Sequence, residues 1–138
     1  MSAKPQGFFG YSSTPPSSGD AIEKAVREIN DAGEVHLLTW KSIVRGGSLV
    51  IDDILSCIEA SDFTCFDLTG MNDNVLFEIG FAIARKKPIW LIFDVSFEES
   101  HRKWEQLGLL QEITYVRYAN NHDIVRAFFA EKPHTLNE

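Results

Sequence analysis

The sequence predicts an α/β fold of flavodoxin-like type, a three-layer sandwich with a five-stranded parallel sheet of order 2-1-3-4-5. Three observations lead there. Short apolar runs that read as strands alternate with helical segments five times over. The runs VHLLTW, FTCFDL and PIWLIFD are continuous in hydrophobicity, as in strands covered on both faces. The connections are short, so right-handed crossovers bring each helix back onto the sheet. At 138 residues the chain fits one domain, 1–138, large enough to close a core without disulfides or a structural metal.

The segment GFFGYSS, Gly7 to Ser13, has an aromatic strand pattern that STPPSSG breaks with two prolines and a glycine. A helix is expected next, capped by Asp20 or Ser18, with Glu23 completing a capping box and Ile22, Val26 and Ile29 at helical spacing up to Gly33. VHLLTW, Val35 to Trp40, reads as a buried strand and KSIVRGGS as a mobile loop. Ile51, Ile54, Leu55 and Ile58 then fall at i, i+3, i+4 and i+7, an amphipathic helix ending near Ser61 and Asp62. FTCFDLTG gives the third strand, NVLFEIGFAIA a helix apolar on nearly every side, as expected of one largely surrounded by protein, and Pro88 to Asp94 the fourth strand. Trp104, Leu107 and Leu110 point to a short helix between Ser96 and Gln111. ITYVRY, Ile113 to Tyr118, alternates like an edge strand, and His122 to Ala130 forms the last helix.

Composition narrows the function classes. The net charge of -7, with 13 Lys and Arg against 20 Asp and Glu, argues against a phosphate-tracking nucleic-acid surface, which needs clustered cations. Cys57 and Cys65 have neither C-x-x-C spacing nor histidine neighbours, and are read as reduced core residues rather than metal ligands. The four histidines are scattered and receive no role. No signal peptide and no apolar run of ~20 residues is present, so a cytoplasmic protein is expected. The sequence lacks G-x-G-x-x-G after the first strand, a P-loop, and the acidic pair of a phosphate-receiver site. SSTPPSSG is only faintly like a flavin-phosphate loop, because its prolines remove amides.

In open parallel sheets ligands bind beyond the carboxyl ends of the strands where the strand order reverses, here between strands 1 and 3. Tyr11, Ser12 and Ser13, then Trp40, Asp67, Thr69 and Asp94 are carried to that edge. The helix after strand 3 starts there too, so Asn74 and Glu78, four residues apart on one face, overhang the crevice. A charge in so apolar a helix must be paired, solvated by a cleft, or shifted in pKa. The plain alternative has Glu78 facing water or pairing with Arg85, and weighs about equally. Asp67 and Asp94 have an ordinary reading as caps of the following turn. Trp40 at a strand end is more often packing than a ring-stacking platform.

FFGYSSTPPSSGDAIEKAV, the tryptophan followed by RGGSLVIDDILSCIEASD, and FDLTGMNDNVLFEIGFAIARKKPIWLIFD together resemble the TIR-like nucleotide-binding domains of bacteria, relatives of TIR NAD hydrolases and nucleoside deoxyribosyltransferases. The likeness runs from Gly7 to Asp94, and D-L-T-x-x-N-x-N-V-x-F-E-[IL]-G is its most specific part. It implies cleavage of an N-glycosidic bond, with NAD+ as substrate and no separate cofactor, and it sets the family glutamate on Glu78. By the same resemblance Phe9, Tyr11 and Ser12 line the nucleotide pocket, Trp40 flanks it, and Asp67 and Asn74 position Glu78 or the ribose. Lys41, Arg45, Gly46, Gly47 and Ser48 fall on the loop that TIR domains use to contact the next subunit, which implies a homo-oligomer. NDNVLF departs from the animal and plant pattern before the glutamate and favours the bacterial branch.

The resemblance thus implies a TIR-like NAD+ glycohydrolase, an oligomerisation-activated effector of bacterial antiphage immunity, its sensor fused or associated. Two rivals stand beside it. One is a deoxyribosyltransferase with the glutamate as nucleophile, and the other a non-catalytic nucleotide-binding or assembly module.

Overall fold

The computed structural model describes residues 4–13, 15–43, 50–69, 72–94 and 115–135. Strands β1 (Gln6–Gly10), β2 (His36–Thr39), β3 (Phe63–Asp67), β4 (Ile89–Asp94) and β5 (Tyr115–Tyr118) form one parallel sheet in the order β2-β1-β3-β4-β5. The helices are α1 (Pro16–Asp31), α2 (Trp40–Ile43), α3 (Val50–Ala60), α4 (Asp73–Ala84) and α5 (Asn121–Glu131), followed by a 3-10 turn over Pro133–Thr135. The expected architecture and strand order are those observed. The expected helix between Ser96 and Gln111 lies outside the described residues, as do Ile113 and Thr114, the first two residues of the expected last strand.

The strand pleat sends successive side chains to opposite faces and so builds two cores. On one face Phe9, Cys65 and Ile92 pack with Ile22 and Ile29 of α1 and with Ile124 and Phe128 of α5. On the other, Phe8, Phe66 and Leu91 pack with Ile58 of α3 and with Val75, Ile79 and Ala82 of α4. Each large apolar side chain so buried contributes ~1.5–3 kcal/mol, which explains why the strand runs carry no polar alternation. At the open edge of the sheet, Asn30 of α1 turns its side chain onto β2. Its Oδ1 accepts from the Leu37 amide at 2.7 Å and its Nδ2 donates to the Leu37 carbonyl at 3.0 Å.

Four expectations need correction. α1 begins at Pro16 with Pro15 at the N-cap and no side-chain cap; the proline's fixed φ starts the helix four residues before Asp20. Trp40 opens α2 rather than closing β2, and Lys41 to Ile43 form a helical turn, anchored where the Thr39 amide donates to Ser42 Oγ at 3.1 Å. Cys65 is buried but Cys57 only half-buried, both free thiols. Finally, α4 is not enclosed all round: Phe77 is 53% and Ile83 41% exposed, beside Ile51 of α3 at 48%.

Candidate active site

The site grows from the register of β1 and β3. Gly10 pairs with Phe66, and its missing side chain opens space at the carboxyl end of β1. A Cβ there would stand 2.6 Å from the Phe66 ring and 3.0 Å from Glu78 Oε1. The Glu78 carboxylate therefore lies close over the backbone of β1, at the switch point. Gly10 is a position of the candidate site that sequence reasoning missed. Its signal was a glycine between two aromatics near the end of a strand, where glycine often marks close approach.

α4 reaches this position through its N-terminus. Asn72 is the cap, and its Oδ1 accepts from the amides of Asn74 at 2.8 Å and Val75 at 3.4 Å. The next turn then brings Glu78 round onto the crevice, where it is only 9% exposed. Burial pushes its carboxyl up to about 7. Among the described residues no hydrogen bond or ion pair reaches that carboxylate. Arg85, the simplest partner on the helix, turns instead to Glu59 at 3.0 Å.

Two adjoining cavities meet at Glu78. One, of about 230 Å³, is lined by Tyr11, Ser12, Ser13, Trp40, Asn72 and Asn74 together with Ile54 and Val75. The other, of about 220 Å³, is lined by Ile51, Ile54, Leu55, Asn74 and Phe77. Glu78 belongs to both. Taken together they reach the lower end of the ~300–1,000 Å³ typical of ligand sites. In the first cavity Tyr11 donates to Glu23 Oε1 at 2.5 Å, and its ring lies 6.0 Å from that of Trp40. Burial, reinforced by Glu23, holds the Tyr11 hydroxyl protonated far above the ordinary phenol range. Lys41 sets its ammonium 5.6 Å from the centre of the Trp40 ring, a favourable cation–π contact. A wider and more open groove of about 600 Å³, lined by residues such as Leu38, Ser42 and Cys57, does not include Glu78, and among the described residues Asp53 is its one charged side chain.

Of the residues expected at the site, Tyr11, Ser12, Trp40, Asn74 and Glu78 share one cavity. Phe9 does not line it; it is fully buried in the α1 and α5 core. Asp67 does not line it either. The pleat that turns Phe66 toward α4 turns Asp67 to the opposite face, into a separate buried polar cluster. There Asp67 Oδ1 accepts from Thr69 Oγ1 at 2.7 Å and from the Thr69 amide at 3.2 Å. Thr69 Oγ1 also accepts from the Asp94 amide at 2.9 Å and lies 3.4 Å from the Tyr118 hydroxyl. Ser18 of α1 donates to Asp94 at 3.5 Å. Among the described residues Asp67 Oδ2 has no hydrogen-bond partner within normal distance, and burial, opposed by the Thr69 and Tyr118 contacts, raises this carboxyl to about 7. Lys41 stands on α2 beside Trp40; Arg45, Gly46, Gly47 and Ser48 lie outside the described residues.

Among the described residues no group of three or more His, Cys, Asp or Glu converges to hold a metal, and no helix is long and apolar enough to cross a membrane. What the cleft offers is an unneutralised carboxylate between a hydroxyl-bearing wall and an apolar one. Such a group can stabilise a cation, orient sugar hydroxyls, or attack an electrophilic carbon.

No protein-family model matches the chain, and no curated protein does. Solved structures do. The TIR domains of the activated Roq1 resistosome, which directly recognises the pathogen effector XopQ, align over 94% of this chain and 99% of theirs at TM-score 0.69 and 8% identity. The TIR domain of the Toll-related receptor TRR-2 from Hydra magnipapillata aligns over 91% and 92% at TM-score 0.64 and 18% identity. The CMP N-glycosidase BcmB of Clostridium botulinum aligns over 90% and 98% at TM-score 0.61 and 13% identity. The likeness in each case spans nearly the whole of both chains, and together with the parallel sheet order it establishes that this chain has a TIR-like fold.

Proposed function

We propose that the protein is an N-glycosidase that cleaves NAD+ to nicotinamide and ADP-ribose, with Glu78 as its catalytic carboxylate. The observation that carries this reading is the unpartnered, nearly buried Glu78 at the junction of the two cavities. In the reaction the bond between ribose C1′ and the pyridinium nitrogen breaks and its electron pair returns to the ring, so nicotinamide leaves neutral. The ribosyl cation that remains is stabilised by the ionised Glu78, and no acid is needed for departure. Water then adds to C1′ and releases a proton; attack by the adenine ring instead would give the cyclic product. Ser12 and Asn74 supply polar contacts for the ribose, and Trp40 flanks the first cavity.

Assembly completes the proposal. The segment containing Lys41, Arg45, Gly46, Gly47 and Ser48 makes homotypic contacts between copies, and the clustered enzyme acts in the cytoplasm as an antiphage effector controlled by a fused or associated sensor. Support comes from the fold shared with the Roq1 TIR domains, which belong to an activated assembly. The test is chromatographic: protein incubated with NAD+, free and artificially clustered, should release nicotinamide, and Glu78→Gln should lower the rate by at least ~100-fold without unfolding the protein. Wild-type rates in that variant would remove Glu78 from the mechanism.

A second reading has one observation in its favour. Glu78 titrates at about 7, so near neutral pH a share of molecules carries a proton that could be given to a departing neutral base. Cleavage of a pyrimidine nucleotide, the activity named for the fold neighbour BcmB, needs that proton, and deoxyribosyl transfer would use the same carboxylate as nucleophile. Incubation with CMP, or with a deoxynucleoside and a second free base, separates these from NAD+ hydrolysis.

A further inference from the structure

We infer that the apolar cavity between α3 and α4 is the subsite for the departing base, and that Phe77 and Ile51 set which base it accepts. The inference deepens the N-glycosidase reading and rests on it. Phe77 and Ile51 are large apolar side chains left 53% and 48% exposed, flanking a cavity of about 220 Å³ that also includes Glu78. Exposure of this kind is unfavourable unless something covers it. The occupant follows from what else the cavity touches: it shares Ile54, Asn74 and Glu78 with the hydroxyl-bearing cavity of Tyr11, Ser12 and Trp40. A second copy or a protein partner could cover the outer patch, but neither would explain why the apolar surface continues inward to the carboxylate.

A substrate whose glycosidic carbon sits at Glu78 must send its two halves into different arms. Sugar hydroxyls and phosphate need donors and acceptors, which the Tyr11, Ser12 and Asn72 arm has. A flat heteroaromatic ring needs an apolar or aromatic wall, which Phe77, Ile51 and Leu55 provide. The aliphatic side chains Ile51, Ile54 and Leu55 hold neutral nicotinamide better than a cationic pyridinium, which the Phe77 ring and the Glu78 carboxylate attract. That aliphatic part of the wall favours the departed base over the bound substrate, the direction that accelerates the step.

The test needs no turnover. Ile and Leu methyl groups are labelled, and nicotinamide, then cytosine, is titrated into the full chain while methyl and indole NMR signals are followed. Shifts at Ile51, Ile54 and Leu55 are expected, and Phe77→Ala should weaken nicotinamide binding about tenfold, the scale of one base–aromatic stack. Leu55→Asn, on the same wall, should weaken it similarly. Shifts confined to the Trp40 indole, no shift with either base, or methyl shifts that depend on protein concentration without any base would each overturn the assignment, the last by showing that a second copy covers the patch. Nicotinamide bound at the α3 and α4 wall without NAD+ hydrolysis would keep the subsite and refute the NAD+ reading. Hydrolysis with nicotinamide bound elsewhere would do the reverse.

Discussion

Replacing Glu78 by glutamine should make the folded protein more stable at pH 8 even as it abolishes catalysis. The carboxyl titrates at an ordinary 4.5 in the unfolded chain and at about 7 in the folded one. Between those values the folded state holds more protons than the unfolded state, so stability falls as pH rises from 4.5 to 7 and is level above it. The cause is desolvation alone, with no partner returning any of the lost hydration. The interval amounts to ~3 kcal/mol of destabilisation at pH 8 and less than ~0.5 kcal/mol at pH 4.5. Glutamine removes the charge and keeps the shape, meeting the same surroundings that the protonated acid meets. Urea unfolding followed by tryptophan fluorescence at pH 4.5, 6 and 8 reads the difference directly, provided the two proteins have equal m-values. The gap should open from near zero to ~2–3 kcal/mol across that range. A gap independent of pH, or a variant less stable than wild type at pH 8, would refute the reasoning, since it would mean that the carboxylate is already well solvated or paired.

Other outcomes follow from the same geometry. kcat/KM for NAD+ should rise with pH through a midpoint near 7 and then level, because the proposed mechanism uses the ionised form of Glu78, whose carboxyl burial pushes up to about 7, whereas a substrate that needs a proton on its base should lose rate above 7; parallel pH profiles on NAD+ and CMP check this. Gly10→Ala should cost ~1–3 kcal/mol in denaturant stability and lower activity, as its methyl would press on Phe66 and on Glu78 Oε1. Thr69→Val should cost ~2 kcal/mol on chemical unfolding, because one hydroxyl serves both Asp67 and the Asp94 amide. Arg85→Ala should change stability by less than ~1 kcal/mol and leave activity intact, since its pair with Glu59 is 54% exposed on each side.

Much of this architecture was legible because it depends on patterns with short periods. Continuous apolar strands joined by amphipathic helices leave few topologies, and the position of Glu78 follows from counting turns along the helix after β3. The side of the sheet was harder to read. Asp67 and Phe66 both end β3, yet the pleat gives one to α1 and the other to α4, and the sequence position of Asp67 beside the switch point did not reveal which. Gly10 acquires its role only through the pairing with Phe66, 56 positions away in the register of two strands. The partner of Thr69 on β5, Tyr118, is 49 positions distant. The apolar face of α4 looked enclosed because hydrophobicity alone cannot tell a buried wall from one that faces a cavity. Phe77 is 53% exposed, whereas Phe81 packs against the Phe8 and Phe66 core.

The clasp of Asn30 on Leu37 has a consequence for how copies of this protein can meet. β2 is an outer strand of the sheet, and an outer strand normally offers a row of amides and carbonyls that another chain can join. With both backbone groups of Leu37 held by one side chain, that row is interrupted at the middle of a four-residue strand. Sheet-to-sheet growth, the route toward fibrous aggregates, is closed there without any proline or bulge. Asn30→Ala would reopen it, so a variant folded as well as the parent should be the one that precipitates on storage.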